Sequence, residues 1–171
     1  MRWMWIDTIV EHVPGQRMVA IKNISLAEEH LHDHFAADAE GDALPVMPAS
    51  LMIEGMAQTA GLMVGAVNDF TEKVILAKVQ LARFDADAFP GQTLRYEATM
   101  DRIDAGGAST TGVIRLLDHA AGDGAWRAIG QVNLMFSHID RNMGGVEFPE
   151  ENFVFSENFK PLLAALAAAT V

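Results

Sequence analysis

Between Leu44 and Val67 the chain is polar only at Ser50, Glu54, Gln58 and Thr59, and nothing in the stretch alternates with period two. A run of that length is either a helix enclosed by protein on all sides or a membrane span. The acid and amide at mid-span, and the lack of flanking Lys or Arg, decide for the enclosed helix. Pro48 fits a first helical position and Ser50 a cap, and the helix is predicted to run to about Asn68 or Phe70. With 171 residues, half of them hydrophobic and a fifth charged, one domain around one core is expected, spanning 1–171, with its body at about 5–140 and an extension over 141–171.

Beyond the helix the texture changes. Lys73 to Phe84, Thr93 to Asp104, Ala108 to Asp118 and Trp126 to Ile139 read as strands. They are separated by Phe89-Pro90-Gly91, Ala105-Gly106-Gly107 and Ala121-Gly122-Asp123-Gly124. Successive strands joined by short turns pair antiparallel, and the apolar face of such a sheet needs a cover, which the long helix supplies. Arg17 to Ile24, after Pro14-Gly15, is an earlier strand. Ala36 to Asp42 is a small, acidic loop, Asn142 to Asn158 is irregular, and Phe159 to Ala169 forms a second short helix. The fold class is α+β.

The net charge of −11 disfavours nucleic acid, whose phosphates demand Lys and Arg. Zero cysteines remove disulfides, thiolate zinc sites and cysteine nucleophiles, and fit a cytoplasmic setting. Met1 to Ile6 lacks the apolar centre of a signal peptide.

Glu54 is the residue that packing does not explain, since a lone buried carboxylate is costly unless paired, hydrogen-bonded or protonated. A capping box fails in register: with Ser50 as cap, the partner position holds Ile53. A first-turn acid complementing the helix dipole is the plain alternative. Gln58, four residues on, shares the face of Glu54 and can hold it by a hydrogen bond. His34 taken alone is a loop histidine. His30, His32 and His34 alternate as one face of a strand would, a candidate metal cluster with no further ligand in place to complete it. Met47, Met52, Met56 and Met63 suit core filling or a tunnel wall. Arg83 suits either an acidic partner or a solvated strand end.

Several of these pieces recur in a known order. Lys22-Asn23-Ile24, His34-Phe35, Pro45-Val46-Met47-Pro48, Glu54-Gly55-Met56-Ala57-Gln58, and Arg83-Phe84 ahead of Pro90-Gly91-Gln92-Thr93-Leu94 resemble the hotdog-fold (3R)-hydroxyacyl-acyl-carrier-protein dehydratases of fatty-acid synthesis, over about Trp5 to Ile139. The resemblance implies a long central helix wrapped by a curved antiparallel sheet. It also implies a lyase that turns a 3-hydroxyacyl thioester into a trans-2-enoyl thioester, with His34 as catalytic base and Glu54 as catalytic acid. These two would come from opposite subunits of a homodimer, or of a trimer of dimers. Ala49, where the family usually has glycine, would sit at the helix N-terminus that meets the thioester oxygen, with Gln58 also at the substrate site. No metal or redox cofactor is implied. The substrate would ride on phosphopantetheine, on acyl carrier protein or coenzyme A, with no membrane partner. A hotdog thioesterase and a non-catalytic acyl-thioester binding module are the alternatives. Two departures stand out: Ala36-Ala37 replaces Pro-Gly, and His34 lies 20 positions before Glu54 (54 − 34), a longer spacing than the family's usual one.

Overall fold

The computed structural model describes residues 3–39, 41–139, 145 and 159–170. Its elements are β1 (Thr8–Val13), β2 (Arg17–Asn23), α1 (Glu29–Asp33), α2 (Ala49–Ala66), β3 (Val74–Phe84), β4 (Gln92–Asp104), β5 (Gly107–Asp118), β6 (Trp126–His138) and α3 (Lys160–Ala169). The six strands form one sheet in the order β1-β2-β4-β5-β6-β3, antiparallel at every pairing. Since β2 and β3 lie far apart in that order, the chain between them must cross the sheet, and α2 is the crossing.

α2 is buried from Gly55 through Gly65 without interruption, which is why its sequence shows no polar face. Pro48 is the residue before the helix rather than its first turn, and its carbonyl accepts from Leu51 and Met52 N–H at 3.0 and 3.2 Å. Ser50 lies inside the first turn, and no side chain caps the helix. The expected Ser50 cap is therefore corrected: proline fixes the entry angle by its own φ, and a hydroxyl placed further in has no orphan N–H to reach. The helix stops at Ala66, short of the expected end, because Asp69 and Phe70 turn left-handed (φ 49° and 57°) and Phe70 N–H closes onto the Gly65 carbonyl at 2.8 Å.

Inward residues follow period two along the central strands. In β5 they are Ala108, Thr110, Gly112, Ile114 and Leu116. They meet Met52, Met56, Leu62 and Met63 of α2, all fully buried, as is Met47. Contact is close where glycine permits it. A Cβ on Gly55 would stand 2.4 Å from Tyr96 Cζ, and one on Gly112 would stand 2.5 Å from Met56 Sδ. The other face of the sheet carries ion pairs, among them Arg17–Glu11, Arg95–Glu97 and Arg115–Glu97.

The two sheet edges differ. Along β1, α3 packs Leu162 and Leu166 into the core, and Thr170 bridges to His12. At the other end, β3 is exposed over most of its length, with Leu76, Val79 and Leu81 each about 40% accessible.

β1 is not legible in the sequence, because a bulge between Ile9 and Glu11 disturbs its alternation. The histidines at 30, 32 and 34 are not on a strand. They belong to α1 and its C-terminal cap, where residues two apart point in different directions. Among the described residues no group of three or more His, Asp or Glu is placed to hold a metal ion. No described helix is long and apolar enough to cross a membrane. The irregular stretch at 142–158 lies outside the described residues, Gly145 aside.

Candidate active site

Glu54 stands in the second turn of α2, part-buried, at the end of the helix where the N–H groups of Ala49 and Ser50 have no intrahelical acceptor. Ala49 is exposed and has ordinary helical geometry, since Asp69 and Phe70 alone among the described non-glycine residues show positive φ. Alanine therefore serves there without strain.

The Glu54 carboxyl is held through one oxygen. Its Oε1 accepts from Gln58 Nε2 at 3.0 Å and from the indole Nε1–H of Trp3 at 3.2 Å. Gln58 is itself fixed. Its Oε1 accepts from the backbone N–H of Trp5 at 2.9 Å, and its Nε2 also donates to the Trp3 carbonyl at 3.1 Å. A backbone N–H only donates and a backbone carbonyl only accepts, so the amide cannot be reversed. With two donors fixed on Oε1, a proton on this acid sits on Oε2, which has no partner among the described residues. Gln58 commits its hydrogen bonds to Glu54 and to the incoming N-terminal segment.

His34 caps α1, is exposed, and packs its ring edge-on to Phe35 with centroids 4.4 Å apart. Within one chain it makes no hydrogen bond or ion pair with Glu54 among the described residues. The longer loop after it is pinched at its base, where Leu44 N–H donates to the Phe35 carbonyl at 3.0 Å. Met47 N–H then donates to the Ala88 carbonyl at 2.8 Å, which ties the approach to α2 to the segment ahead of β4. Arg83 is exposed and pairs with Asp85 at 2.8 Å.

Three residues beside the site, Trp3, Trp5 and His30, escape a sequence-based assignment to it. Trp3 and Trp5 stack edge to face at 5.4 Å, and Trp5 meets His30 edge to face at 4.9 Å. Two tryptophans in a segment of six are the available signal. Burial holds His30 below the usual histidine range. The Glu28 carboxylate pulls the other way, and Lys22 and His34 add to the depression. His12, which is buried where His30 is only part-buried, is lowered by the same desolvation. Each resists protonation in the fold, whereas the unfolded chain takes up those protons near pH 6.5. Stability is thus expected to fall as pH drops below about 6.5, and to go on falling until the folded-state values are passed. Urea midpoints at about pH 7.5 and about pH 5, on either side of that range, check this. His30→Phe, which keeps the edge contact with Trp5, should shrink the difference while leaving the His12 share in place.

A long helix enclosed by a six-stranded antiparallel sheet is the hotdog architecture, here with a carboxyl held near the N-terminus of the helix. The family model for a FabA-like domain matches residues 2–125. The 3-hydroxyacyl-acyl-carrier-protein dehydratase FabZ of Roseiflexus castenholzii is 32% identical over 141 residues, covering 81% of this chain and 89% of the relative. The dehydratase of the same name from Geobacter metallireducens is 36% identical over 98 residues, 56% of this chain and 61% of that protein. Among solved structures, the dehydratase heterocomplex ApeI:P from Xenorhabdus doucetiae superposes with a TM-score of 0.57 at 14% identity, over 83% of this chain and 90% of that one, a likeness of fold. The chain belongs to the FabA-like family of hotdog-fold dehydratases.

Proposed function

We propose that this chain removes water from a (3R)-hydroxyacyl thioester to give the trans-2-enoyl thioester, with His34 and Glu54 as its proton-transfer pair. The observation that carries the reading is the Glu54 carboxyl, tied down through Oε1 and open at Oε2 beside the start of α2. His34 takes a proton from C2. The C2–C3 double bond forms as the C3–O bond breaks, and the hydroxyl leaves as water with the proton from Glu54 Oε2, directly or through a bridging water. Charge gathering on the thioester oxygen meets the free N–H groups of Ala49 and Ser50 and the positive end of the helix dipole. The elimination changes no oxidation state overall and calls for no metal or redox cofactor.

His34 and Glu54 share no hydrogen bond or ion pair among the described residues of one chain, and in this reading the histidine of each site is supplied by a second copy. The exposed apolar edge of β3 is the surface that supports such an assembly, since an unpaired strand edge carrying Leu76, Val79 and Leu81 favours pairing. A trimer of dimers is the larger assembly compatible with this. The acyl group is carried on phosphopantetheine, borne by acyl carrier protein as in the relatives' names, or by coenzyme A. The absence of cysteine suits the cytoplasm.

Incubation with a 3-hydroxyacyl thioester, followed by enoyl absorbance and by free-thiol release, tests the proposal. Enoyl product without thiol is expected. Thiol without enoyl product would mean a thioesterase, and binding with neither product an acyl-thioester binding module.

A further inference from the structure

We infer that Trp3 is a positioning residue for the Glu54 carboxyl, an inference that rests on the dehydratase reading above. Trp3 lies ahead of β1 and 51 residues before Glu54, yet its indole N–H meets Glu54 Oε1 at 3.2 Å while its backbone carbonyl accepts from Gln58. The segment around it is anchored. Trp5 is buried at 4% exposure, its N–H holds Gln58, and its ring abuts those of Trp3 and His30. Trp3 itself remains 59% exposed. A large ring this exposed in the single chain adds little to that chain's own core, so burial there does not account for its placement. Its directed polar contact is the one to Glu54, and an indole N–H can only donate.

Gln58 alone would leave the carboxyl free to rotate about one hydrogen bond. The second donor, arriving from outside the helix, restricts that freedom and leaves Oε2 as the oxygen without a partner among the described residues. A general acid works only when its proton points at the leaving oxygen, so loss of this second donor should appear in turnover more than in substrate binding.

The test compares Trp3→Phe, which keeps the ring and loses the N–H, with Trp3→His, which keeps a ring N–H, and with Glu54→Gln. Trp3→Phe is expected to lower kcat about tenfold with KM within about twofold, and Trp3→His to recover part of the loss. The chain has three tryptophans and so three indole N–H resonances. The Trp3 resonance, identified by its loss in Trp3→Phe, should shift in Glu54→Ala, a response that a ring serving only as packing would not give. A Trp3→Phe enzyme with wild-type kcat, or an indole resonance indifferent to Glu54→Ala, overturns the inference. If Glu54→Gln meanwhile abolishes turnover, the dehydratase reading survives; wild-type turnover in Glu54→Gln overturns that reading itself.

Discussion

Glu54→Gln and His34→Ala are each expected to lower dehydration by about a hundredfold to ten-thousandfold, the range for removal of one positioned proton-transfer group. Folding should persist in both. The amide introduced by Glu54→Gln would still accept from Trp3 and Gln58 through its carbonyl oxygen, and His34 is exposed. The sharper result comes from mixing the two inactive variants by unfolding and refolding together. If each site draws its histidine from one copy and its acid from the other, a mixed dimer has one site missing both groups and one site intact. Random pairing makes about half the dimers mixed, so about a quarter of wild-type activity should return, an expectation set by the two-fold arrangement alone. Recovery is zero if both groups belong to the same chain's site. Steady-state enoyl formation on the refolded mixture distinguishes the two.

Gly55→Ala is expected to destabilise the fold far more than the addition of one methyl suggests. The added methyl would stand 2.4 Å from Tyr96 Cζ, 2.5 Å from its hydroxyl oxygen and 2.8 Å from Cε2. Tyr96 is fully buried under α2, so its ring has no open direction in which to retreat. Overpacking a core costs about 1–3 kcal/mol, and this contact belongs at the upper end; the better helix propensity of alanine returns about 1 kcal/mol. A net loss of about 2 kcal/mol lowers the melting temperature by about 4–8 °C in a chain of this size. The same clash predicts non-additivity. Tyr96→Leu alone leaves a cavity, but with Gly55→Ala the methyl fills part of it, and the double variant should be less destabilised than the sum of the two. Thermal melts of the three variants check this, and a Gly55→Ala protein that melts like wild type would show that Tyr96 can shift.

Legibility in the sequence differs by element. α2 announces itself, because a helix buried without interruption from Gly55 through Gly65 leaves a stretch without polar periodicity. The four later strands announce themselves through alternation and glycine turns, with boundaries off by about one residue. α1 does not, since five residues give no helical period, and its histidines imitate a strand by chance spacing. On the site, the Glu54–Gln58 contact is readable as a four-residue step along a helix, and the structure places Gln58 where that step predicts. Trp3 is not readable as a partner, because no local rule links position 3 to position 54.

Local chemistry therefore determined the pieces: an enclosed helix carrying one unexplained acid, strands to cover it, and a histidine ahead of it in a familiar order. The tertiary structure alone decided how the acid is held, because the N-terminal segment is folded back over α2 and supplies both the indole donor and the backbone groups that fix Gln58. Sequence periodicity records which residues share a face of one element. Contacts between segments far apart in the chain depend on where the packed core brings them, and that is set by the whole fold at once.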